Sequence, residues 1–447
     1  MKIAIIGSGP LGLEAAIHFE NLGAAVTLFM DEIPGGLIYK LKDNFSDVVV
    51  HSDFEKVSTR RGREISGATL QGEVTLGQYS EEYLEKLLHD PTLNLVIKKA
   101  KVERVHKRFL SLDESVQDKS RMHDLFRVIY SVDPKENILE QAQANPEAFK
   151  QLGEDVLKSL EKSVEAFEDF DIVIDATGVF HSPYPMGASA SFALNEKNLK
   201  EENPIYYGAK ALLKLDEIKK NSKNLVLIGS GETAAAWLVG LESWLEDDSH
   251  SLSLVTTETT IFEKLSKNES GKGIFKKALG VVERNREKLR EKIIQFEKDL
   301  HHWRDLEAHI KAKKTQPVEP RSQINFLTGY NVSALDRLLD REGLFVTLEM
   351  SPFREDYNPE KEMVTLAADT ILVATGHFKE PTLFKGLLTK YDEMRKYPLS
   401  EKAETSESGF YIIGATKRAH NDRYSLEDGL KDIDLIEKDI LKFFSRA

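Results

Sequence analysis

Cysteine is absent from the chain. That excludes a redox-active thiol pair, and with it thiol–disulfide exchange on the protein's own residues, as well as any metal site built on thiolates. Metal-ligand spacing is missing too. The 12 histidines form no HExxH or comparable pattern, so no metal is expected. Positive charge is in deficit: 61 Lys and Arg stand against 74 Asp and Glu, a net charge of −13. A general nucleic-acid surface needs clustered cations, and runs such as Arg60-Arg61 are too short to supply them. No apolar stretch reaches the roughly 18 residues that a membrane span requires. The strand-like run that opens at Lys2 has no charged leader before it, so the expectation is a cytoplasmic protein with neither nucleic-acid nor membrane partner.

What is present is ordinary for a folded enzyme: 447 residues, 41% hydrophobic and 30% charged, enough for two or three domains with real cores. Lys2-Ile-Ala-Ile-Ile6 is a short apolar run of the kind buried on both faces of a parallel sheet. Gly7-Ser-Gly-Pro-Leu-Gly12 follows, then a helical stretch from Leu13 to Leu22 and a second strand from Ala25 to Phe29. The same grammar returns as strand Asn224 to Ile228, turn Gly229-Ser-Gly-Glu-Thr-Ala234, helix Ala235 to Leu245 and strand Ser251 to Thr256. Two such units predict an α/β fold with two Rossmann-type dinucleotide-binding domains.

The chemistry rests on the glycine turns. In Gly7-x-Gly9-x-x-Gly12 the first glycine permits the tight turn and the second lets backbone approach a pyrophosphate. The third lets helix and strand pack closely, while the helix N-terminus offers free N–H groups. The candidate dinucleotide contacts are Gly7, Gly9, Pro10, Leu11 and Gly12. A ribose-binding acid is expected about 20 residues on; that position falls on Met30, leaving Asp31 or Glu32 to reach the hydroxyls or to sit as solvated loop carboxylates. The second turn offers Gly229, Gly231, Glu232, Thr233 and Ala234, with Ala for the last glycine. It reads either as a nicotinamide site or as a domain kept for structure. The following strand ends Thr256-Thr-Glu258, where a carboxylate would repel a 2′-phosphate, so NADH is favoured over NADPH.

Two buried-type strands end in Ala-Thr-Gly: Asp171 to Gly178 and Asp369 to Gly376. Thr177, Gly178, Thr375 and Gly376 join the cofactor-binding candidates. Two segments read as helical insertions. Residues 134–168 carry Leu139, Ala142, Phe149, Leu152, Val156, Leu160 and Val164 at roughly helical spacing, with Pro146 splitting them. Residues 276–313 carry Leu289, Ile293, Phe296, Leu300, Trp303, Leu306 and Ile310 along one stripe amid dense charge, ended by Pro317 and Pro320. Such a stripe must pack on its own domain, on a helical hairpin, or on a partner as in a homodimer.

Taken in order, GSGPLGLEAA, DATGVF, LVLIGSGETAA, LVATG and GFYIIG resemble the two-dinucleotide-binding-domain flavoproteins. Within them the chain is most similar to the flavin-containing and N-hydroxylating monooxygenase-like branch, through Asp175-Ala-Thr-Gly-Val-Phe-His-Ser-Pro183 and Val373-Ala-Thr-Gly-His-Phe-Lys-Glu-Pro381. The resemblance implies FAD on the first glycine turn and a nicotinamide on the second. It also implies an FAD domain of residues 1–203 and 364–447, interrupted by a nicotinamide-type domain of 204–363, with a reaction cleft between them. Met30, the missing cation near Thr257, and Ala415 in place of an acid depart from the family pattern.

Gly414 closes the strand Gly409-Phe-Tyr-Ile-Ile-Gly414, and Ser425 and Leu426 open a C-terminal helix. The N-terminus of that helix either faces the flavin pyrimidine edge or is a plain capped end. The segment from Gly35 to Gly67 is expected near the flavin ring, with His51, Ser52, Asp53 and Phe54 as its polar and aromatic candidates. His51, Asp53 and His377 are the candidate proton-relay residues, each with a structural role as the alternative. Three functions stay open: a monooxygenase acting on a small substrate, a reductase passing electrons to a non-thiol acceptor, and a non-catalytic flavin-binding sensor or interaction protein.

Overall fold

The structure, a computed structural model, describes residues 1–30, 35–90, 92–109, 123–132, 164–262, 272–338, 343–355, 357–378, 381–387, 389, 391–392, 397–398, 405–414 and 425–444. The chain divides into two compact units, Met1–Ser182 with Phe378–Ala447, and Pro183–His377.

The first unit opens with β1 (Lys2–Ile6), α1 (Pro10–Asn21), β2 (Ala25–Met30), α2 (Gly36–Phe45) and β3 (Val96–Lys99). Three antiparallel strands follow, β4 (Lys101–Lys107), β5 (Phe126–Val132) and β6 (Val164–Phe170), and then β7 (Ile172–Asp175). The second unit runs through β8 (Ile205–Tyr207), β9 (Asn224–Ile228), α3 (Glu232–Gly240), β10 (Ser251–Thr256), α4 (Lys272–Asp305) and β11 (Ile324–Thr328). It too continues with three antiparallel strands, β12 (Tyr330–Asp336), β13 (Leu344–Met350) and β14 (Met363–Ala368), before β15 (Thr370–Val373). The chain then returns to the first unit for β16 (Phe410–Ile412) and α5 (Leu426–Phe444).

Each unit therefore has one five-stranded parallel sheet, ordered β16-β7-β1-β2-β3 in the first and β8-β15-β9-β10-β11 in the second. The likeness between the units extends past the glycine turns to the order of parallel and antiparallel strands that follow them. They differ at one edge: the strand beside β7 comes last in the chain, whereas the strand beside β15 comes before the second glycine turn.

Strand alternation builds the layers of the first unit. Ile3, Ile5, Val26, Leu28, Ile172 and Ile174 face the core shared with Leu13 and Ile17 of α1 and Ile433 and Ile436 of α5. Their neighbours Ala4, Ile6, Phe29 and Val173 face Val105, Phe126 and Val128 of the antiparallel sheet. Both faces of the parallel strands are thus covered, which is why they read as continuous apolar runs.

Three expectations need correcting. The spacing in 134–168 predicts a helical segment. Residues 133–163 lie outside the described residues, and Val164–Phe170 is a strand paired with Phe126–Val132. Antiparallel pairing decides it: Phe170 is buried with its cross-strand neighbour Phe126, and Arg127 holds the opposite Asp169 at 2.8 Å. The helix expected over 276–313 stops at Asp305, where Lys311 Nζ donates to Arg304 O at 2.6 Å and a separate turn, Ala308–Lys311, begins. The strand preceding the second Ala-Thr-Gly, expected in the FAD domain, pairs with β8 and β9 in the second unit. Residues after Ser182 belong there as well. The buried Glu196 carboxylate accepts the amides of Met186 and Ala193 and the hydroxyl of Tyr207.

Candidate functional site

The two glycine turns are built alike. Gly7 has φ +107°, its amide donates to Phe29 O at 2.9 Å, and a Cβ there would lie 2.6 Å from Ala176 O. Gly229 has φ +121°, its amide donates to Val255 O at 2.8 Å, and a Cβ would lie 2.2 Å from Ala374 O. Only glycine accepts both that φ and that approach. Ala176 N bonds Ile6 O at 2.8 Å, and Ala374 N bonds Ile228 O at 2.7 Å. Each Ala-Thr-Gly is therefore stitched to the turn of its own unit in the same register.

The middle glycines differ from the first. A Cβ on Gly9 or Gly231 would meet nothing within 4 Å, so both turns leave open space over the start of a helix. Neither α1 nor α3 has a side-chain N-cap, so their first N–H groups have no side-chain acceptor at the cap. Open space and uncapped amides are what an anionic pyrophosphate needs, and the residues present fit such a group. Gly12 serves packing, since a Cβ there would sit 1.9 Å from Gly7 O. Pro10 begins α1, and Leu11 lies against Gly414, whose hypothetical Cβ would be 3.8 Å from the Leu11 side chain. Glu232 and Thr233 form the first turn of α3, with Ala234 buried behind them.

Thr177 folds back on Asp175, its amide at 3.0 Å and its hydroxyl at 2.7 Å from Oδ1, which fixes the bend before Gly178. Thr375 instead donates to Tyr184 O and Pro185 O at 3.0 and 3.1 Å, and Gly376 O accepts Tyr184 N. At α5, Ser425 Oγ accepts the amide of Asp428, whose carboxylate accepts the Ser425 amide, a reciprocal cap just ahead of Leu426. Asp31, Glu32 and Ala415 lie outside the described residues. Met30, at the ribose position, is buried.

The histidine candidates are held by their own neighbours. His51 Nδ1 accepts the amide of Asp53 at 3.0 Å, and its Nε2 stands 3.8 Å from Glu427, which brings it to the first turn of α5. Asp53 caps the short turn Phe54–Val57 by accepting Glu55 N, and Phe54 is core, edge-on to Tyr83. His377 Nε2 accepts Ala209 N at 3.2 Å, and burial pushes its pKa down to about 4. It is a neutral acceptor in the second unit.

Three features escaped the sequence reading. Gly36 crosses directly over the first turn, a Cβ there lying 2.9 Å from Gly9 Cα; the Gly35-Gly36 pair was the available signal. Glu14 is fully buried in α1, accepting Thr59 Oγ1 at 2.6 Å and the Tyr83 hydroxyl, and burial raises its pKa. Its signal was a lone acid inside Leu13-Glu14-Ala15-Ala16. The third is Arg354, whose guanidinium packs on Gly329, the residue whose amide donates to Thr256 O and Glu258 O. A cation thus stands near the strand end where the sequence showed none, brought from 98 residues beyond Thr256. His18, Asp434 and Glu437 also bring three potential ligand atoms within 4.8 Å of one another on the partly exposed seam of α1 and α5.

Among the described residues no helix is long and apolar enough to cross a membrane. No protein-family model and no curated protein matches the sequence. Solved structures do match. The bacillithiol disulfide reductase Bdr from Staphylococcus aureus aligns over 99% of this chain and 98% of its own, with TM-score 0.59 and 14% identity. The thioredoxin reductase of Lactococcus lactis aligns over 100% and 99%, with TM-score 0.55 and 12% identity. An ornithine N-hydroxylase from Kutzneria, solved with reduced FAD, NADP+ and L-ornithine, aligns over 98% of each chain, with TM-score 0.57 and 13% identity. The likeness is one of fold. The chain has the two-unit α/β architecture that flavoprotein disulfide reductases, thioredoxin reductases and N-hydroxylating monooxygenases share.

Proposed function

We propose that the chain is an FAD-dependent oxidoreductase reduced by a nicotinamide donor, NADH ahead of NADPH, and that it hydroxylates a small substrate in the manner of the monooxygenase-like branch. The observation that carries the proposal is the twinned glycine turn: two helix N-termini with no side-chain cap, each behind a glycine whose missing Cβ leaves open space. In the first unit Gly7, Gly9, Pro10, Leu11 and Gly12 would cradle the FAD pyrophosphate, with Thr177, Gly178, Gly414, Ser425 and Leu426 lining the rest of that cofactor's path. In the second, Gly229, Gly231, Glu232, Thr233 and Ala234 would hold the nicotinamide dinucleotide, with Thr375 and Gly376 beside them. FAD, when bound, supplies hydride acceptance and reactivity toward oxygen.

The protein's own part is to bind and orient. The amides of α1 neutralise pyrophosphate charge. Thr177, bonded to Asp175, keeps the bend before Gly178 rigid. At α5 the cap takes up the Asp428 amide and sets the Asp428 carboxylate at the helix start, so only the amides of Leu426 and Glu427 would be left to meet negative charge. Neutral His377 cannot serve as an acid near neutral pH, so protons at that site would come from elsewhere.

A second reading is favoured by the fold likeness to the two reductases: electrons pass from the flavin to a quinone, a small molecule or a redox protein. The absence of cysteine bars such an enzyme from relaying them through its own dithiol.

The test is the visible spectrum of the purified protein under anaerobic addition of NADH and of NADPH. Bleaching by NADH and recovery in air support the proposal, and suppression of peroxide by a substrate selects hydroxylation over electron transfer. A bound flavin that neither donor bleaches points to a non-catalytic flavin protein. No flavin uptake from added FAD refutes the proposal.

A further inference from the structure

The helix α4, of 34 residues, changes character along its length. Phe275, Ala278, Val281 and Val282 are buried, and this end packs against α3. From Glu283 to Asp305 no residue is buried. Yet Leu289, Ile293, Phe296, Leu300 and Trp303 are only partly exposed and continue the same face as Phe275 and Val282. Their steps of four, three, four and three residues are the 3.5-residue repeat of a coiled-coil seam. On the α3 side the seam is occupied by the protein's own domain. Beyond Val282 its residues are only partly covered, Trp303 by Lys311, whose Nζ lies 5.3 Å from the ring centre.

We infer that α4 pairs antiparallel with α4 of a second copy, so that Ile293 packs opposite Phe296 of the partner subunit and Leu289 opposite Leu300 of the partner subunit. The flanking charges select this register. It sets Arg290 against Glu297 of the partner subunit and Glu283 against Arg304 of the partner subunit, each contact repeated by the twofold axis. Lys292, which already pairs with Asp248, comes beside Asp299 of the partner subunit. Arg286 comes beside Trp303 of the partner subunit, whose ring already carries Lys311 of its own chain. No like charges face each other. Sliding one heptad in one direction sets Arg290 and Lys292 each against its own copy; sliding the other way does the same to Glu297 and Asp299. Among the described residues the side chains of Arg290, Glu297 and Arg304 have no ion pair within the chain, and the pair that the register would exchange is the exposed Glu283–Arg286 contact at 3.7 Å.

Length agrees with charge. In this register the partner's helix end at Asp305 falls opposite Arg284, which is bonded to Glu242 at 2.6 Å where the domain's own cover ends. The overlap is about 33 Å of helix axis, near three heptads. A parallel pair would run the partner along the stretch α3 already covers, and would stack Arg286 on itself in the seam.

The chain's lack of cysteine makes the test clean. Leu289→Cys and Leu300→Cys proteins are prepared separately, in the full chain, and oxidised mildly alone and mixed. A disulfide-linked dimer only in the mixture is the expected result. Cross-linking of either variant with itself would overturn the antiparallel register, and no cross-linking in any sample would overturn the pairing. In sedimentation velocity at micromolar concentration the parent chain should be a dimer. Phe296→Asp should be a monomer with unchanged far-UV circular dichroism, and Arg290→Glu should weaken association about tenfold or more. Arg290→Glu combined with Glu297→Arg should restore it. A monomeric parent, or a double reversal that stays weak, refutes the inference.

Discussion

Gly9 and Gly12 sit in one loop and should fail differently. At Gly9 φ is −66° and the Cβ position is open, so Gly9→Ala leaves the flavin-free protein melting as the parent does. The added methyl occupies the space a pyrophosphate needs, and FAD affinity should fall tenfold or more. Gly12→Ala places a methyl 1.9 Å from Gly7 O, a backbone collision inside the sheet-helix contact, and should cost roughly 2–4 kcal/mol of stability before any cofactor is added. Thermal melts of the flavin-free variants, with fluorescence titration of FAD, separate the two. Glu14 and His377 carry opposite pH signatures. Burial raises the Glu14 pKa above 4.5, so the folded state holds that proton more tightly than the unfolded one. Its stabilisation is complete below about 4.5 and is lost as pH rises from there through the folded value. Glu14→Gln, which retains an acceptor for Thr59, should flatten that decline in urea unfolding. Burial lowers His377 from 6.5 to about 4, so folding excludes its proton. The second unit should lose stability as pH falls across that window, by up to roughly 3 kcal/mol. His377→Gln should remove this acid-side slope, read as the pH dependence of the melting temperature.

Among the elements, α5 depends on its first turn. The reciprocal bonds of Ser425 and Asp428 predict a loss of about 1 kcal/mol in Ser425→Ala, measurable by chemical denaturation of the flavin-free chain. The elements nearest the glycine turns were legible because their signals are local: an apolar strand, a glycine at a positive φ, then a helix, each within a few residues. Gly7 and Gly229 take the positive φ, and Gly12 the close helix–strand approach, that their spacing implied. Elements defined by distant partners were not legible. Val164–Phe170 offers apolar residues at steps that also suit a helix, and only pairing with β5, across more than thirty residues of sequence, makes it a strand. The membership of β15 was hidden for the same reason, since its neighbours β8 and β9 lie some 145–165 residues earlier. Glu14 bonds Thr59 and Tyr83, 45 and 69 positions away; neither the burial of an acid nor its protonation bias can be read from adjacent residues. The end of α4 at Asp305, ahead of both prolines, depends on Lys311 folding back onto Arg304 O.

At the scale of the molecule, the second unit is continuous in sequence and its two ends are tied together. Tyr184 N donates to Gly376 O at 2.9 Å, and within the first unit Phe378 N donates to Ser182 O at 2.9 Å. The chain leaves and rejoins its host at adjacent points, and every strand of the sheet β16-β7-β1-β2-β3 lies outside 183–377. The second unit is, in genetic terms, a cassette. A chain in which Ser182 is joined to Phe378 by a short glycine linker should fold and take up FAD, with a visible spectrum like the parent's and no bleaching by NADH. An aggregated product would show that the host needs its insert to fold. A folded one would mean that the second unit, with whatever it binds, can be exchanged by moving a single uninterrupted stretch of coding sequence.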